Sequence, residues 1–385
     1  MVLIHPLSLH FMILLLFYFS IFFILSSYLF YPLALYFWTK NHSHPSKKAT
    51  QYIPDVTIIL TVYNESKNII ARLKNLCSQQ YPNNKLQIII ISDGSTDNSP
   101  VLASNFIKQP HNIKIQLHHY SENKGKAYAV NLGISKASTE IIVLADARQQ
   151  FAPDCISQLV NNFIDETVAC VSGQLRFKSN NSHIAQSMGA YWRYETWIRA
   201  TESKIDSVIG VTGSVYALRK TQYRPIPNNT LLDDVLIPMK IIKQGYRVIY
   251  EPLALAFDNP SHNSKQEWHR KVRTLAGNWQ LLNLDYRLFL PQRNRVFLQF
   301  LFHKISRLLV PFFLILILLS SYLLNYQLFL GLQSVFYGVV IIASLLPKLK
   351  HNKLINLCHT FTLLNLAALA GFYYWISKQT DDLWR

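Results

Sequence analysis

The sequence predicts a doubly wound α/β domain held between transmembrane helices, and three observations carry that expectation. Four short β-branched runs alternate with amphipathic helical patterns in the first part of the chain. Long charge-free apolar stretches stand at both ends. Three of the four runs end in polar clusters, and ligands of wound sheets bind at the carboxyl ends of the strands.

The runs are Val56 to Val62, Leu86 to Ser92, Ile113 to His118 and Glu140 to Ala145. Continuous apolar runs of this length fit strands buried on both faces, as in a parallel sheet. Helical patterns lie between them over Glu65 to Gln79, with Ile69, Ile70, Leu73 and Leu76 on one face, then Asn98 to Gln109 and Lys124 to Lys136. Alternation of this kind argues for α/β winding.

No Asp, Glu, Lys or Arg occurs from Met1 to Thr39, or from Leu308 to Pro347. The second stretch is twice the roughly 20 residues that one span needs. Asn325, Tyr326 and Gln327 interrupt it, which predicts two helices and a turn. Leu354 to Ser377 supplies a further span, while the N-terminal run is too long for the apolar core of a cleaved signal. Basic flanks mark the cytoplasmic side. They are Lys40, Lys47 and Lys48, then Arg293, Arg295, Lys304 and Arg307, then Lys348, Lys350 and Lys353. The expected organisation is an N-terminal transmembrane helix in 1–40, a linker in 41–54 and a cytoplasmic catalytic domain in 55–292. An interfacial amphipathic helix in 293–307, three transmembrane helices in 308–377 and a tail in 378–385 follow. Both termini then face outward from a plasma (inner) membrane.

With 385 residues and 50% hydrophobic content, the chain holds one sizeable soluble core besides its spans. The net charge of +17 is assigned first to membrane lipid, since no zinc-finger spacing or RNA-binding signature points to nucleic acid. Cys77, Cys155, Cys170 and Cys358 lie far apart, so neither a disulfide framework nor a zinc site is indicated.

The chemistry sits at the strand ends. Thr61-Val62-Tyr63-Asn64-Glu65 ends the first run, and Ser92-Asp93-Gly94-Ser95-Thr96-Asp97 ends the second. Asn64 and Asp97, taken singly, fit ordinary helix caps. Two such turns in register fit a nucleotide site. Glu122-Asn123-Lys124-Gly125-Lys126-Ala127 puts lysines at a glycine-containing helix start, an arrangement suited to phosphates, and equally to a solvated turn. Asp146-Ala147-Arg148 follows the fourth run.

TVYNE, SDGSTD, NKGKAYAVN and DAR, in this order, resemble the motifs of family 2 glycosyltransferases of the GT-A fold, in the subgroup of membrane-bound polysaccharide synthases. Further along, Val211-Thr212-Gly213-Ser214 looks like a glycine-rich strand on the acceptor side. Leu232-Asp233-Asp234 resembles the family's acidic pair, and Arg270-Lys271-Val272-Arg273-Thr274 stands where the family has QxxRW. The resemblance implies a mostly parallel, Rossmann-like sheet and an inverting transfer from a nucleotide sugar, expected to be a UDP-sugar, to a polysaccharide or lipid-linked acceptor. It implies that Tyr63, Glu65 and Asp93 hold the nucleoside end, that Lys126, Asp146 and Arg148 face the donor phosphates, and that Arg270 and Arg273 contact the pyrophosphate or the acceptor entrance. Asp234 is the expected base, with Asp233 beside it to raise its proton affinity through like-charge repulsion. A helix cap is the plain alternative for Asp234.

Two departures stand out. Arg148 replaces the second carboxylate of Asp-x-Asp, which leaves Asp146 as the one ligand for Mg²⁺ or Mn²⁺ and puts metal dependence in doubt. Thr274 stands where the family has Trp. Trp268 and Trp279 are close in sequence and read as interface anchors, while Tyr191, Trp192, Tyr194 and Trp197 offer either packing or an acceptor-sugar platform. Alternative readings are a single transfer to a polyprenyl phosphate or glycolipid, and a catalytically weak nucleotide-sugar-binding subunit of a synthase with partner chains.

Overall fold

The computed structural model describes residues 6–177, 183–259 and 264–377; the predicted tail, 378–385, lies outside them. Among the described residues eight strands form one sheet: β1 Val56–Val62, β2 Leu86–Asp93, β3 Lys114–Tyr120, β4 Ile141–Asp146, β5 Gln150–Phe151, β6 Val168–Phe177, β7 Val215–Arg219 and β8 Arg247–Asp258. Their order is β3-β2-β1-β4-β7-β6-β8-β5. The first four run parallel, as the apolar runs predict. β7 pairs antiparallel with both β4 and β6, and β5 antiparallel with β8, while β6 and β8 pair parallel, so six of the eight strands run one way and the sheet is mostly parallel, as expected, with β7 and β5 reversed. Val211 to Ser214, expected as a strand, is instead the turn that leads into β7.

Alternating residues of the central strands serve two cores. Ile58, Leu60, Ile88, Ile90 and Val143 face one layer, while Ile59, Ile89, Ile91, Ile142 and Leu144 face the other. The second layer does not end at the sheet. It continues through Val235, Leu236 and Trp279 to Val296, Phe300, Ile305 and Leu308, so the domain shares a core with the helix beneath it.

Among the described residues, four helices are long and apolar enough to cross a membrane: Ser8–Asn41, Phe297–Leu323, Gln327–Leu345 and Lys353–Ile376. The turn at Asn325 divides the second and third, as expected, with Asn325 in the left-handed region at φ 56°. The separate amphipathic helix expected over 293–307 does not exist. Residues from Phe297 onward run unbroken into the span, through a π-helical segment at Phe300–Ile305. Nothing between Val296 and Leu323 ends a helix, and the Phe300, His303 and Ile305 side chains turn into the protein rather than toward lipid headgroups.

The helix Ser264–Leu284 lies between domain and spans. A Cβ on Gly371 of the last span would come within 2.7 Å of the Ala276 backbone nitrogen, so the two helices touch at backbone distance. Trp279 stacks on Trp375 with ring centroids 5.7 Å apart, which makes it a docking contact between the two helices. Trp268 is half-buried on the same helix.

Candidate active site

The turns after β1 and β2 interlock. Asn64 takes φ 51° and does not cap a helix. Its Oδ1 accepts from the Thr96 backbone N–H at 2.8 Å, which ties the first turn to the second. Asp97 answers by accepting from Ser66 N at 2.9 Å, and it also accepts from Ser99 N at 2.9 Å at the start of the next helix. Gly94, at φ 61°, is pressed against the following loop: a Cβ there would stand 2.2 Å from Asn123 N. Only glycine fits that conformation and that gap. The loop is held from the other side too, because Asp93 Oδ1 accepts from Lys124 N at 2.7 Å.

At the centre, Lys126 opens the helix Lys126–Lys136 behind Gly125. Its Nζ lies 2.9 Å from Asp146 Oδ1 at the end of β4 and 3.7 Å from Asp233 Oδ2. Burial works against this ammonium, but the Asp146 and Asp233 carboxylates outweigh it and hold its proton more firmly than usual. Arg148 Nε stands 3.6 Å from Glu65 Oε1, so the arginine of the DAR turn is joined to the turn after β1.

Asp233 and Asp234 form the first turn of the helix Asp233–Lys243; the cap position is Leu232, so neither carboxylate is spent on capping. Asp234 Oδ1 is buried with no hydrogen-bond partner among the described residues. Burial, then the Asp233 charge beside it, push the Asp234 carboxyl up to about 6. An ionised carboxylate so placed is a proton acceptor poised near neutrality.

All ten residues singled out in the sequence line one cavity of about 750 Å³: Tyr63, Glu65, Asp93, Lys126, Asp146, Arg148, Asp233, Asp234, Arg270 and Arg273. Thr274, the departure from QxxRW, lines it as well. Of the aromatic group, Trp192 reaches the cavity, its indole N–H donating to Leu175 O at 3.2 Å. Tyr194 instead packs against the first span, donating to Tyr28 O at 3.1 Å, and Trp197 is exposed; the Tyr191 side chain lies outside the described set.

Two family profiles match the chain. Glycosyl transferase family 2 covers residues 57–223, and Glycosyl transferase family group 2 covers residues 141–373, more than half of the sequence. The chain belongs to glycosyltransferase family 2. It is 28% identical over 236 residues to the poly-beta-1,6-N-acetyl-D-glucosamine synthase of Staphylococcus aureus strain COL, over 60% of this chain and 56% of that one. Against the synthase of the same description from Staphylococcus epidermidis it is 26% identical over 277 residues, 67% of this chain and 66% of that one. The glycosyltransferase therefore spans little more than half the length of the first of these relatives. In structure it is similar to the mannosyltransferase PcManGT from Pyrobaculum calidifontis, solved with GDP-Man and Mn2+, with a TM-score of 0.74, 20% identity, and coverage of 94% and 99% of the two chains. That likeness shows the GT-A fold together with its long apolar helices.

The sequence did not point to several residues of the site. Arg72 is fully buried on the helix Ile69–Cys77; its Nε donates to Asp146 O at 3.0 Å and its Nη1 to Asn75 Oδ1 at 2.7 Å, which fixes the DAR turn from behind. On the membrane side, Glu195, Arg199, Glu202, His303 and Lys304 line the same cavity. His303 Nδ1 lies 2.9 Å from Glu202 Oε1 and its Nε2 2.6 Å from Glu195 Oε1, so the ring bridges the two carboxyl groups through both nitrogens. Arg307 Nη1 donates to Glu195 Oε2 at 2.9 Å. Lys304 and Arg307, read from sequence as a basic flank of the membrane, thus point into the protein. Charge inside an otherwise apolar helix was the signal that marks them as functional.

Proposed function

We propose that this glycosyltransferase moves a sugar from a nucleoside diphosphate donor, with inversion, to a saccharide or lipid-linked acceptor at the membrane surface. The observation that carries the reading is the cavity itself, in which a poised carboxylate, Asp234, shares one wall with the Lys126–Asp146 pair and the three arginines Arg148, Arg270 and Arg273. A single base that removes the acceptor hydroxyl proton supports one-step displacement at the anomeric carbon. The departing pyrophosphate gains charge, and Lys126, Arg148, Arg270 and Arg273 are the cations at hand to stabilise it. Tyr63, Glu65 and Asp93, on the interlocked turns, are assigned to the nucleoside. Asp233 is assigned to keep Lys126 in place and to raise the proton affinity of its neighbour.

The sugar is proposed to be N-acetylglucosamine carried on UDP, from the description of the staphylococcal relatives, and polymer is the proposed product. A lipid-phosphate acceptor remains the second reading, favoured by Thr274 where a stacking Trp is expected. The catalytic cavity is proposed to open to the cytoplasm of a bacterial inner membrane, with both termini outside, from the basic flanks at Lys40, Arg293, Lys348 and their neighbours.

A divalent cation, the Mn2+ of the PcManGT complex being the precedent, would be held by Asp146 and donor phosphates, where it would neutralise pyrophosphate charge. The fit is partial. Asp146 already faces Lys126 at 2.9 Å, Arg148 stands where a second carboxylate would, and among the described residues no three His, Cys, Asp or Glu side chains are placed to share an ion. Lys126 and Arg148 are proposed to supply much of the charge that the metal brings elsewhere, so activity survives EDTA in part. Complete loss on chelation, restored by Mn²⁺ or Mg²⁺, refutes this.

The deciding experiment screens labelled nucleotide sugars with the full chain in vesicles and separates products by size and by solvent partition. Asp234→Asn is expected to lower turnover by about 10²–10⁴-fold while nucleotide binding persists. Unchanged turnover would remove Asp234 from its role, and binding without turnover by the parent protein across all sugars would favour a binding subunit.

A further inference from the structure

The proposed base is not supported by its own domain alone. Lys304 belongs to the π-helical segment Phe300–Ile305, at the head of the span Phe297–Leu323, yet it lines the catalytic cavity. Its Nζ lies 3.8 Å from the point that a Cβ on Gly210 would occupy, and that same point is 3.5 Å from the Asp234 carbonyl oxygen. Three residues on, a Cβ on Gly213 would stand 3.2 Å from Asp234 Oδ2. The two glycines thin the intervening loop to bare backbone between the ammonium and the carboxylate.

That loop is fixed on every side. Val211 N donates to Asp234 O at 2.8 Å. Arg199 Nη2 donates to Gly210 O at 3.3 Å and to Ser172 Oγ at 2.7 Å, and its Nη1 to Thr212 Oγ1 at 3.0 Å. The turn that carries Lys304 is seated just as firmly, by the His303 contacts to Glu195 and Glu202 and the Arg307 contact to Glu195. Lys304 itself makes no hydrogen bond or ion pair within 4.0 Å among the described residues.

The charges that face Asp234 come from several elements. Asp233 stands beside it on its own helix, Asp146 at the end of β4, Lys126 at the head of its helix, Lys304 on the span, and the buried Tyr216 phenol on β7. Lys304 in turn faces Glu195 and Arg199 on the helix His183–Ile205 and Arg307 on its own. Two carboxylates thus oppose ionisation of Asp234 and two ammonium groups favour it. One of those, Lys126, is committed to Asp146 and Asp233. Lys304 is the cation left for the base.

We propose that Lys304 is a positioning residue for Asp234, a cation carried by a membrane helix that keeps the base ionised and makes turnover depend on how that helix is seated. The proposal rests on the assignment of Asp234 as base. It accounts for a half-buried lysine at the head of a membrane span, turned into the cavity, and for the two glycines of the loop beside it.

The test measures UDP release from UDP-N-acetylglucosamine, with GDP release from GDP-mannose as the second probe, against pH for the full chain in vesicles. Lys304→Met and Lys304→Gln are each expected to move the acid limb of kcat/KM to higher pH by about one unit, because a base that loses its cation holds its proton longer. Lys304→Arg is expected to restore the limb to its parental position. A lower rate with an unmoved limb in both neutral variants overturns the proposal, as does a shift to lower pH. If one neutral variant does not fold, the other decides. Failure of the underlying reading has its own signature, since Asp234→Asn would then keep its turnover whatever the Lys304 variants do.

Discussion

The two halves of the cavity are built in different ways. The half proposed to hold the nucleotide is made of turns that follow β1, β2 and β4, each a short segment whose polar residues sit within a few positions of one another. The membrane half is assembled from afar. Asp234 comes from a helix start, Glu195, Arg199 and Glu202 from one face of a long helix, and His303 and Lys304 from a span about a hundred residues later. Local turns bring rigidity through backbone contacts, such as the 2.8 Å bond from Thr96 N to Asn64 Oδ1. Distant elements bring it through buried charge, such as His303 between two carboxylates. Damage to the first half should therefore show as lost donor affinity, and damage to the second as lost turnover.

After the loss of Asp234 itself, the largest effect is expected from Gly94→Ala. A methyl group would lie 2.2 Å from Asn123 N at a residue held at φ 61°, so both loops must move. Strain of about 3 kcal/mol corresponds to a fall in nucleotide affinity of roughly a hundredfold, measurable by calorimetry with UDP. Normal UDP binding in this variant would break the division between the halves. Next comes the pH dependence. The Asp234 carboxyl, pushed up to about 6 by burial and then by Asp233, must be ionised to act as the proposed base. Turnover should therefore fall about tenfold per pH unit below that value, with nucleotide affinity following a separate curve. Smaller still is Gly213→Ala, whose Cβ would stand 3.2 Å from Asp234 Oδ2. Displacing the carboxylate by a few tenths of an ångström should cost about fivefold in turnover and leave UDP affinity as it was.

The same division decided what could be read from the sequence. β1, β2 and β4 are apolar runs that end in polar turns, and β3 is a half-exposed edge strand, so these strands and six of the ten site residues, Tyr63, Glu65, Asp93, Lys126, Asp146 and Arg148, announce themselves locally. β6 and β8 do not, because Ser172, Gly173 and Gln174 interrupt one and Glu251 and Pro252 the other. Without those two strands the part of the sheet beyond β4 was invisible. The motif Val211 to Ser214 was noticed but misassigned, since its glycine, Gly213, serves closeness to Asp234 rather than a strand. Glu195, Arg199 and Glu202 recur at helical spacing, yet nothing local says that the face they share is buried. Lys304 and Arg307 were counted as membrane flanks because composition cannot tell a charge facing water from one paired inside. Arg307 is paired with Glu195 at 2.9 Å, a partner more than a hundred residues away.

The smallest effect sharpens the comparison most, because it sits in the nucleotide half but arises from a buried charge. Arg72 presents a charged group on an otherwise apolar helix face and lies over the Phe151 ring at 4.0 Å. Its Nε bond to Asp146 O, at 3.0 Å, is what connects it to the site, since Asn75 Oδ1 keeps a second partner in Phe151 N at 2.8 Å. Arg72→Met preserves the volume and the packing on Phe151 and removes that bond together with the one to Asn75. A net hydrogen bond of about 0.7 kcal/mol amounts to roughly threefold in donor affinity, while buried charge replaced by an apolar chain of similar length leaves stability near the parent. Threefold weaker donor binding with unchanged thermal stability would place Arg72 behind the DAR turn as its support. A large drop in stability with donor affinity intact would make it a core residue, and the nucleotide half would then depend on its turns alone.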